Sequence, residues 1–232
     1  MPDIIKIICE TFVDRVEHFD AIDSTNDYLK QLARNETDDP GTVLVVADQQ
    51  TAGRGRDGRS WVSPQGSLAM SLLLDCKTMG IPSQNYPLLS IAAGIALCRA
   101  INSITAAQGL GPVAMIKEPN DIVVPLTALP HISPQPSSGP GDFAKLAGIL
   151  VEIVGGSLGI LGIGLNLNNT TDDLPESLLH ERPVATLRDI LDSTTDRTTV
   201  IVAILNELRR SLELLAADPV ALSDELTAIR LP

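Results

Sequence analysis

Three arginines fall within seven residues in Gly53-Arg54-Gly55-Arg56-Asp57-Gly58-Arg59, and Ser60-Trp61 follow at once. Glycine lets a backbone approach a ligand closely and adopt positive φ. Arginine presents a forked set of donors suited to phosphate or carboxylate. The stretch reads as a cationic, glycine-rich loop for binding anions, set in a chain whose net charge is −12. Taken alone it fits a solvated arginine-rich turn or an RNA-binding tag equally well. It is not a phosphate loop, because G-x-x-x-x-G-K-[ST] is absent, and it lacks the strand-to-helix turn that a dinucleotide fingerprint requires.

Further units carry chemistry-bearing side chains. Lys117-Glu118-Pro119-Asn120-Asp121 sets an amide and a carboxylate at the start of a strand, with Pro119 fixing the backbone; in isolation it is a turn. Lys145 opens an apolar run, Leu146-Ala147-Gly148-Ile149-Leu150-Val151-Glu152, and would otherwise be a strand-end lysine reaching for water. Gly162-Ile163-Gly164-Leu165-Asn166 alternates small and apolar residues, which leaves one face of a strand open to something bulky. Asn166 has an amide that could read a base edge. Ser24 or Thr25 can cap a helix, with Asp27 at its positive end.

These units need elements to hold them. Strands are expected at Val16–Ile22, Thr42–Ala47, Ser67–Leu74, Val113–Ile116, Ile122–Val124, Leu146–Val154 and Leu158–Leu167, the last two joined by a Gly155-Gly156 turn. A helix should follow Asp23, another should be buried over Pro87–Ile101, and a long one should carry the stripe Ile201, Ile204, Leu205, Leu208, Leu212 and Leu215. Few strict strand–helix–strand units appear, so the fold class is α+β with a mixed sheet. The segment 125–142 holds five prolines and is expected to be a flexible surface loop.

The chain has 232 residues, 44 % of them apolar and only 3 % aromatic, so aliphatic side chains must fill one core. The acidic balance argues against wholesale nucleic-acid binding, which depends on clustered cations. Cys9, Cys76 and Cys98 are too scattered for a zinc site or a disulfide framework, and a reducing cytoplasm fits them. Met1–Glu10 lacks the features of a signal peptide, and no run reaches the ~18 apolar residues of a membrane helix. His18, His131 and His180 match none of the units.

Taken together, Ser24-Thr25-Asn26, Gly53 to Gly66, Lys117 to Asp121, Lys145 to Glu152 and Gly162 to Asn166 resemble, in order, the motifs of the biotin protein ligase family. The similarity covers about residues 16 to 170. It implies a class II aminoacyl-tRNA-synthetase-like catalytic fold, with residues 1–232 as a single domain. It implies ATP-dependent formation of biotinoyl-AMP and transfer of biotin to a lysine of a carboxylase carrier domain. Ser24, Thr25, Asn26, Gln50, Gly53, Arg54 and Gly148 would hold biotin. Arg56, Arg59, Trp61, Asn120, Asp121 and Asn166 would hold ATP or the adenylate, and Lys145, Arg56 and Arg59 would act in catalysis. No metal ligand is assigned; Mg²⁺ is expected to arrive on the ATP phosphates. No nucleic-acid or membrane partner is expected, and a homodimer is left open.

The sequence departs from the family at several points. Glu118 stands where the family usually has Trp, and Asp57 stands at a position that is often basic. No N-terminal helix-turn-helix and no C-terminal SH3-like barrel are evident, from which a slow ligase with a raised KM for ATP is expected. The rival readings are a lipoate or octanoate ligase, which would favour an R-R-x-x-G-G-G signature, and a catalytically weak or inactive biotin-binding homologue.

Overall fold

A computed structural model describes residues 1–35, 40–129, 143–181 and 183–231. Its centre is a seven-stranded mixed sheet: β1 (Arg15–Ile22), β2 (Val43–Gln50), β3 (Leu68–Asp75), β4 (Met115–Lys117), β5 (Asp121–Pro125), β6 (Phe143–Val154) and β7 (Leu158–Leu165), in the order β1-β2-β3-β7-β6-β5-β4. Among the described strand pairs only β1 and β2 run parallel. A parallel pair needs a crossover, and α2 (Thr25–Asn35) supplies it. The expected mixed sheet with flanking helices is what forms.

One face of the sheet carries the main core. There α3 (Leu89–Ala107) packs on the sheet and α6 (Arg197–Ala217) packs on α3, in one core that includes Leu72, Leu74, Leu161 and Ile163. Because α3 lies between the sheet and α6, it is apolar on nearly every side. The segment Ser83–Ala107 is long and apolar enough to cross a membrane by length and overall composition alone, and most of it is buried within this core. The stripe expected from Ile201 to Leu215 faces inward along α6, whose first turn is capped by Asp196 accepting from the Thr199 amide.

On the opposite face Leu29 of α2 covers Val43, Val45, Leu73 and Ile160. Register places Ser71 opposite Gly162, and Gly162 opposite Leu150. Side chains on a strand alternate between faces. Ser71, Gly162, Gly164, Gly148, Leu150 and Glu152 therefore share the face of α2, just beyond its end. Three glycines in adjoining strands leave a trough there, and the trough is the floor of the site.

Several expectations shift. Lys145 does not open its strand; β6 begins at Phe143, and Lys145 is its third residue. Met1–Glu10, given no element from sequence, contains α1 (Ile4–Glu10), capped by Asp3 accepting from the Lys6 amide. The proline-rich segment is not a surface loop from its start. Pro125 pairs with Phe143, Leu126–Ala128 form a 3-10 turn and Leu129 joins the core. Its remainder, 130–142, lies outside the described residues.

Candidate active site

A cavity of about 340 Å³ fills the trough. The arginine loop roofs it. The loop is cross-tied rather than loose: Trp61 N–H donates to Gly53 O at 2.9 Å, and Gly55 N–H to Arg59 O at 2.7 Å. The turn is made at Asp57 and Gly58, with φ of 57° and 75°. A Cβ on Gly53 would run into the Trp61 carbonyl, and a Cβ on Gly164 would run into the Trp61 indole. The two strand glycines Gly148 and Gly164 thus seat the ring, and Gly164 lies in the alternating stretch expected to leave room for something bulky.

At the inner end, the start of α2 meets β2, β3 and β6. Ser24, Thr25 and Asn26 are all buried. Ser24 Oγ makes a long capping contact of 3.4 Å with the Asp27 amide, so of the two proposed caps it is Ser24 that caps. Thr25 turns inward: its Oγ1 is 2.6 Å from Ser71 Oγ and 3.1 Å from Gln50 Oε1. Gln50 is held between the Thr25 amide and the Ser63 hydroxyl, 3.0 Å from each.

Arg54 is placed at this end too, but its fork grips the protein's own carboxylates. Nε and Nη2 donate to Asp27 at 2.9 and 2.7 Å, and Nη2 also reaches Glu152 at 2.9 Å. Lys30 closes the group at 2.5 Å from Glu152. Burial works against the charged form of Glu152, but hydrogen bonds from Lys30 and Asn26 and the charge of Arg54 outweigh it and hold its pKa below the ordinary value. Arg54 is raised despite burial, by Glu152 and Asp27. Sequence reasoning missed Asp27, Glu152 and Ser71 as members of the site. Asp27 follows the S-T-N triplet, and Glu152 ends the K-x-x-G-I-L-x-E stretch, so two of the three stood beside motifs already noted.

The outer end is cationic. Lys145 Nζ is 2.5 Å from Asp121 and 5.4 Å from the centre of the Trp61 ring. Arg56 and Arg59 are exposed at the rim; the Arg56 guanidinium has only a 3.8 Å contact with its neighbour Asp57, and the Arg59 guanidinium has no ionic partner among the described residues. Asn120 lines the cavity, but its Nδ2 donates to Ile149 O at 3.0 Å and so ties the corner to β6. Glu118, half exposed, faces Arg230 at 3.9 Å.

Asn166 is not on this cavity. It is buried, its backbone bonds to Leu146 O and to the Leu187 amide, and it borders a separate hollow of about 20 Å³ with Ser60, Trp61, Lys145, Leu174 and Leu178. Trp61 and Lys145 belong to both spaces, so the indole is the partition between them. Its buried N–H has no partner among the described residues.

Elsewhere, His18, Asp20 and Asp48 bring three potential ligand atoms within 4.8 Å on β1 and β2. Arg197 already occupies Asp48, and with the His18 hydrogen bond it keeps that carboxyl below its ordinary pKa in spite of burial. His18 is a structural partner there. His131 and the His180 side chain lie outside the described residues.

A family model for the biotin/lipoate A/B protein ligase family matches residues 18–168, the span that carries every residue of the cavity. The chain belongs to this family. Within it, the chain is 36 % identical over 192 residues to the bifunctional ligase/repressor BirA of Bacillus spizizenii, covering 80 % of this chain and 50 % of that one. It is 29 % identical over 186 residues to the biotin–[acetyl-CoA-carboxylase] ligase of Mycobacterium tuberculosis, covering 80 % and 59 %. The chain thus spans about half the length of the curated relatives it matches. In three dimensions it is similar to the biotin protein ligase of Aquifex aeolicus in complex with biotin and ATP, with 26 % identity, a TM-score of 0.65 and coverage of 88 % and 73 %. The Leishmania major biotin protein ligase, at 21 % identity and a TM-score of 0.71, shares the fold.

Proposed function

We propose that this chain joins biotin to ATP as biotinoyl-AMP and passes the biotinoyl group to a lysine of a carrier protein. The observation that carries this reading is the polarity of one cavity. Its inner end is lined by fixed hydrogen-bonding groups around a balanced set of charges, and its outer end holds Lys145 with Arg56 and Arg59 at the rim. A small acid with a neutral polar head fits that order, head inward and carboxylate outward. The Aquifex relative's complex with biotin and ATP supports the choice of ligands.

The chemistry asks two anions to meet. A carboxylate oxygen of biotin attacks the α-phosphorus of ATP; the new C–O–P linkage forms as the bond to pyrophosphate breaks, and pyrophosphate departs with the electron pair. Lys145 leaves Asp121 to stand between carboxylate and phosphate, offsetting their repulsion, while Arg56 and Arg59 take the phosphates. Asp121 lines the cavity beside Lys145 and would be a carboxylate able to hold a phosphate-borne Mg²⁺, which would supply further charge neutralisation. The loop then covers the mixed anhydride and keeps water from it. A lysine amine of the acceptor attacks the acyl carbon, the bond to AMP breaks, and AMP leaves as the amine gives up a proton. No nucleophile from this chain is needed.

The M. tuberculosis relative is a ligase for acetyl-CoA carboxylase, which makes the biotin carrier domain of a carboxylase the expected acceptor. The test is direct. Purified protein with biotin and α-labelled ATP should yield labelled biotinoyl-AMP, and a carrier domain added next should become biotinylated. No adenylate at millimolar ATP overturns the reading. Adenylate from lipoate in preference to biotin would instead make it a lipoate ligase.

A further inference from the structure

Glu152 ends the K-x-x-G-I-L-x-E stretch, yet the reaction above gives it no part. Its Oε2 accepts from Asn26 Nδ2 and from Arg54 Nη2, each at 2.9 Å. Those contacts fix the Asn26 amide: turned over, its oxygen would face a carboxylate. Asn26 Oδ1 therefore faces Ser71 Oγ, 2.6 Å away. Only the serine has a hydrogen to place between these two oxygens, so Ser71 donates. Ser71 Oγ also lies 2.6 Å from Thr25 Oγ1. With the serine proton committed to Asn26, Thr25 must donate here.

The single proton of Thr25 thus points toward Ser71 and away from Gln50. Gln50 is fixed as well, because its Oε1 takes the Thr25 amide N–H while its Nε2 donates to Ser63. Thr25 Oγ1 also lies in donor geometry 3.1 Å from Gln50 Oε1, but its one proton cannot serve both neighbours, and the shorter 2.6 Å contact with Ser71 takes it, which leaves lone pairs of Thr25 and Gln50 facing each other. Such a pair is completed by a donor from outside the protein.

We propose that Glu152 is a specificity-determining positioning residue: through Asn26 and Ser71, its carboxylate sets the proton direction that leaves Thr25 and Gln50 as paired acceptors for a ligand N–H. A cyclic urea carries such N–H groups; a dithiolane ring has none. The assignment rests on the reading of the cavity as a biotin site and adds the device that selects the ring. Sites built around a buried polar partner discriminate strongly, because the wrong ligand leaves that partner unpaired.

The test compares adenylate formation from biotin and from lipoate in the wild-type chain, in Glu152→Gln and in Ser71→Ala. An amide at 152 can turn its NH₂ toward Asn26, so the asparagine flips and the chain of protons reverses. Ser71→Ala cuts the chain and leaves the ion pairs of Glu152 intact. Each variant should raise the KM for biotin about ten- to a hundredfold while KM for ATP stays within about twofold. The preference for biotin over lipoate should collapse accordingly. A merely structural role would weaken both acids alike, which overturns the assignment. So does a wild type that prefers biotin together with variants that keep the preference. A wild type that takes lipoate as readily as biotin refutes the reading of the cavity itself.

Discussion

The two ends of the cavity use the same kinds of residue in opposite ways. At the inner end every charge is answered from within: Arg54 by Asp27 and Glu152, Glu152 again by Lys30 and Asn26. At the outer end the Arg59 guanidinium has no ionic partner among the described residues and that of Arg56 only a long contact, while Lys145 shares one carboxylate with the open cavity. Arginines two and five residues apart on one loop therefore do different work. The first fastens the loop to the fold; the later ones offer charge to what enters. Reading a guanidinium as an anion binder needs knowledge of which anion is nearest, and here it is the protein's own.

The largest test of this contrast is Lys145→Ala. It removes the cation at the proposed meeting point of biotin and ATP, and the rate of adenylate formation should fall about 10²- to 10³-fold with little change in melting temperature. Gly164→Ala comes next. Its methyl displaces the Trp61 indole, and a misplacement of that order should cost up to about a hundredfold in rate, measured with both substrates saturating. Arg54→Ala and Arg56→Ala separate fastening from charge. The first should lose about 1 kcal/mol of stability, a value kept small because Arg54 is partly exposed, whereas the second should melt as wild type yet raise the KM for ATP. An unchanged melt for Arg54→Ala would break the contrast.

Acid offers a gentler probe. The Glu152 carboxyl is held below its ordinary pKa, so its contribution is complete above the ordinary carboxylate value and disappears as pH falls through the lowered one. Stability and biotin affinity should decline together on that limb, and Glu152→Gln should flatten it. The smallest effect belongs to Glu118→Ala. The pair with Arg230 is long and half exposed, so stability should stay within about 0.5 kcal/mol. Removal of a negative charge beside the anion-binding rim should lower the KM for ATP a little.

Much of the fold could be read from the chain, because local pattern fixes local structure. The aliphatic runs of β2 and β3 and the uniformly apolar α3 announce themselves through composition alone. The sheet order does not, since the pairing of β3 with β7 joins residues some ninety positions apart and leaves no local trace. The site divides in the same way. Motifs put Lys145, Trp61 and Gln50 in one place, and the structure does so too. The resemblance assigns Arg54 to the biotin pocket, and its ionic partners, 27 and 98 residues away along the chain, come into view only in the fold. The resemblance puts Asn166 beside the nucleotide, whereas its backbone is engaged by β6 and by the first residue of α5 (Leu187–Leu191), and the residue borders a hollow separate from the main cavity. Spacing shows that residues recur; it does not show which of two adjoining spaces each one faces.

Trp61 is the single tryptophan of the chain, and it forms the wall between those spaces with its indole N–H unanswered. All tryptophan emission from the protein therefore originates at one point on the cavity wall. Filling of the cavity alters the polarity around that ring, so a plain fluorescence titration, without dye or label, tracks its occupancy.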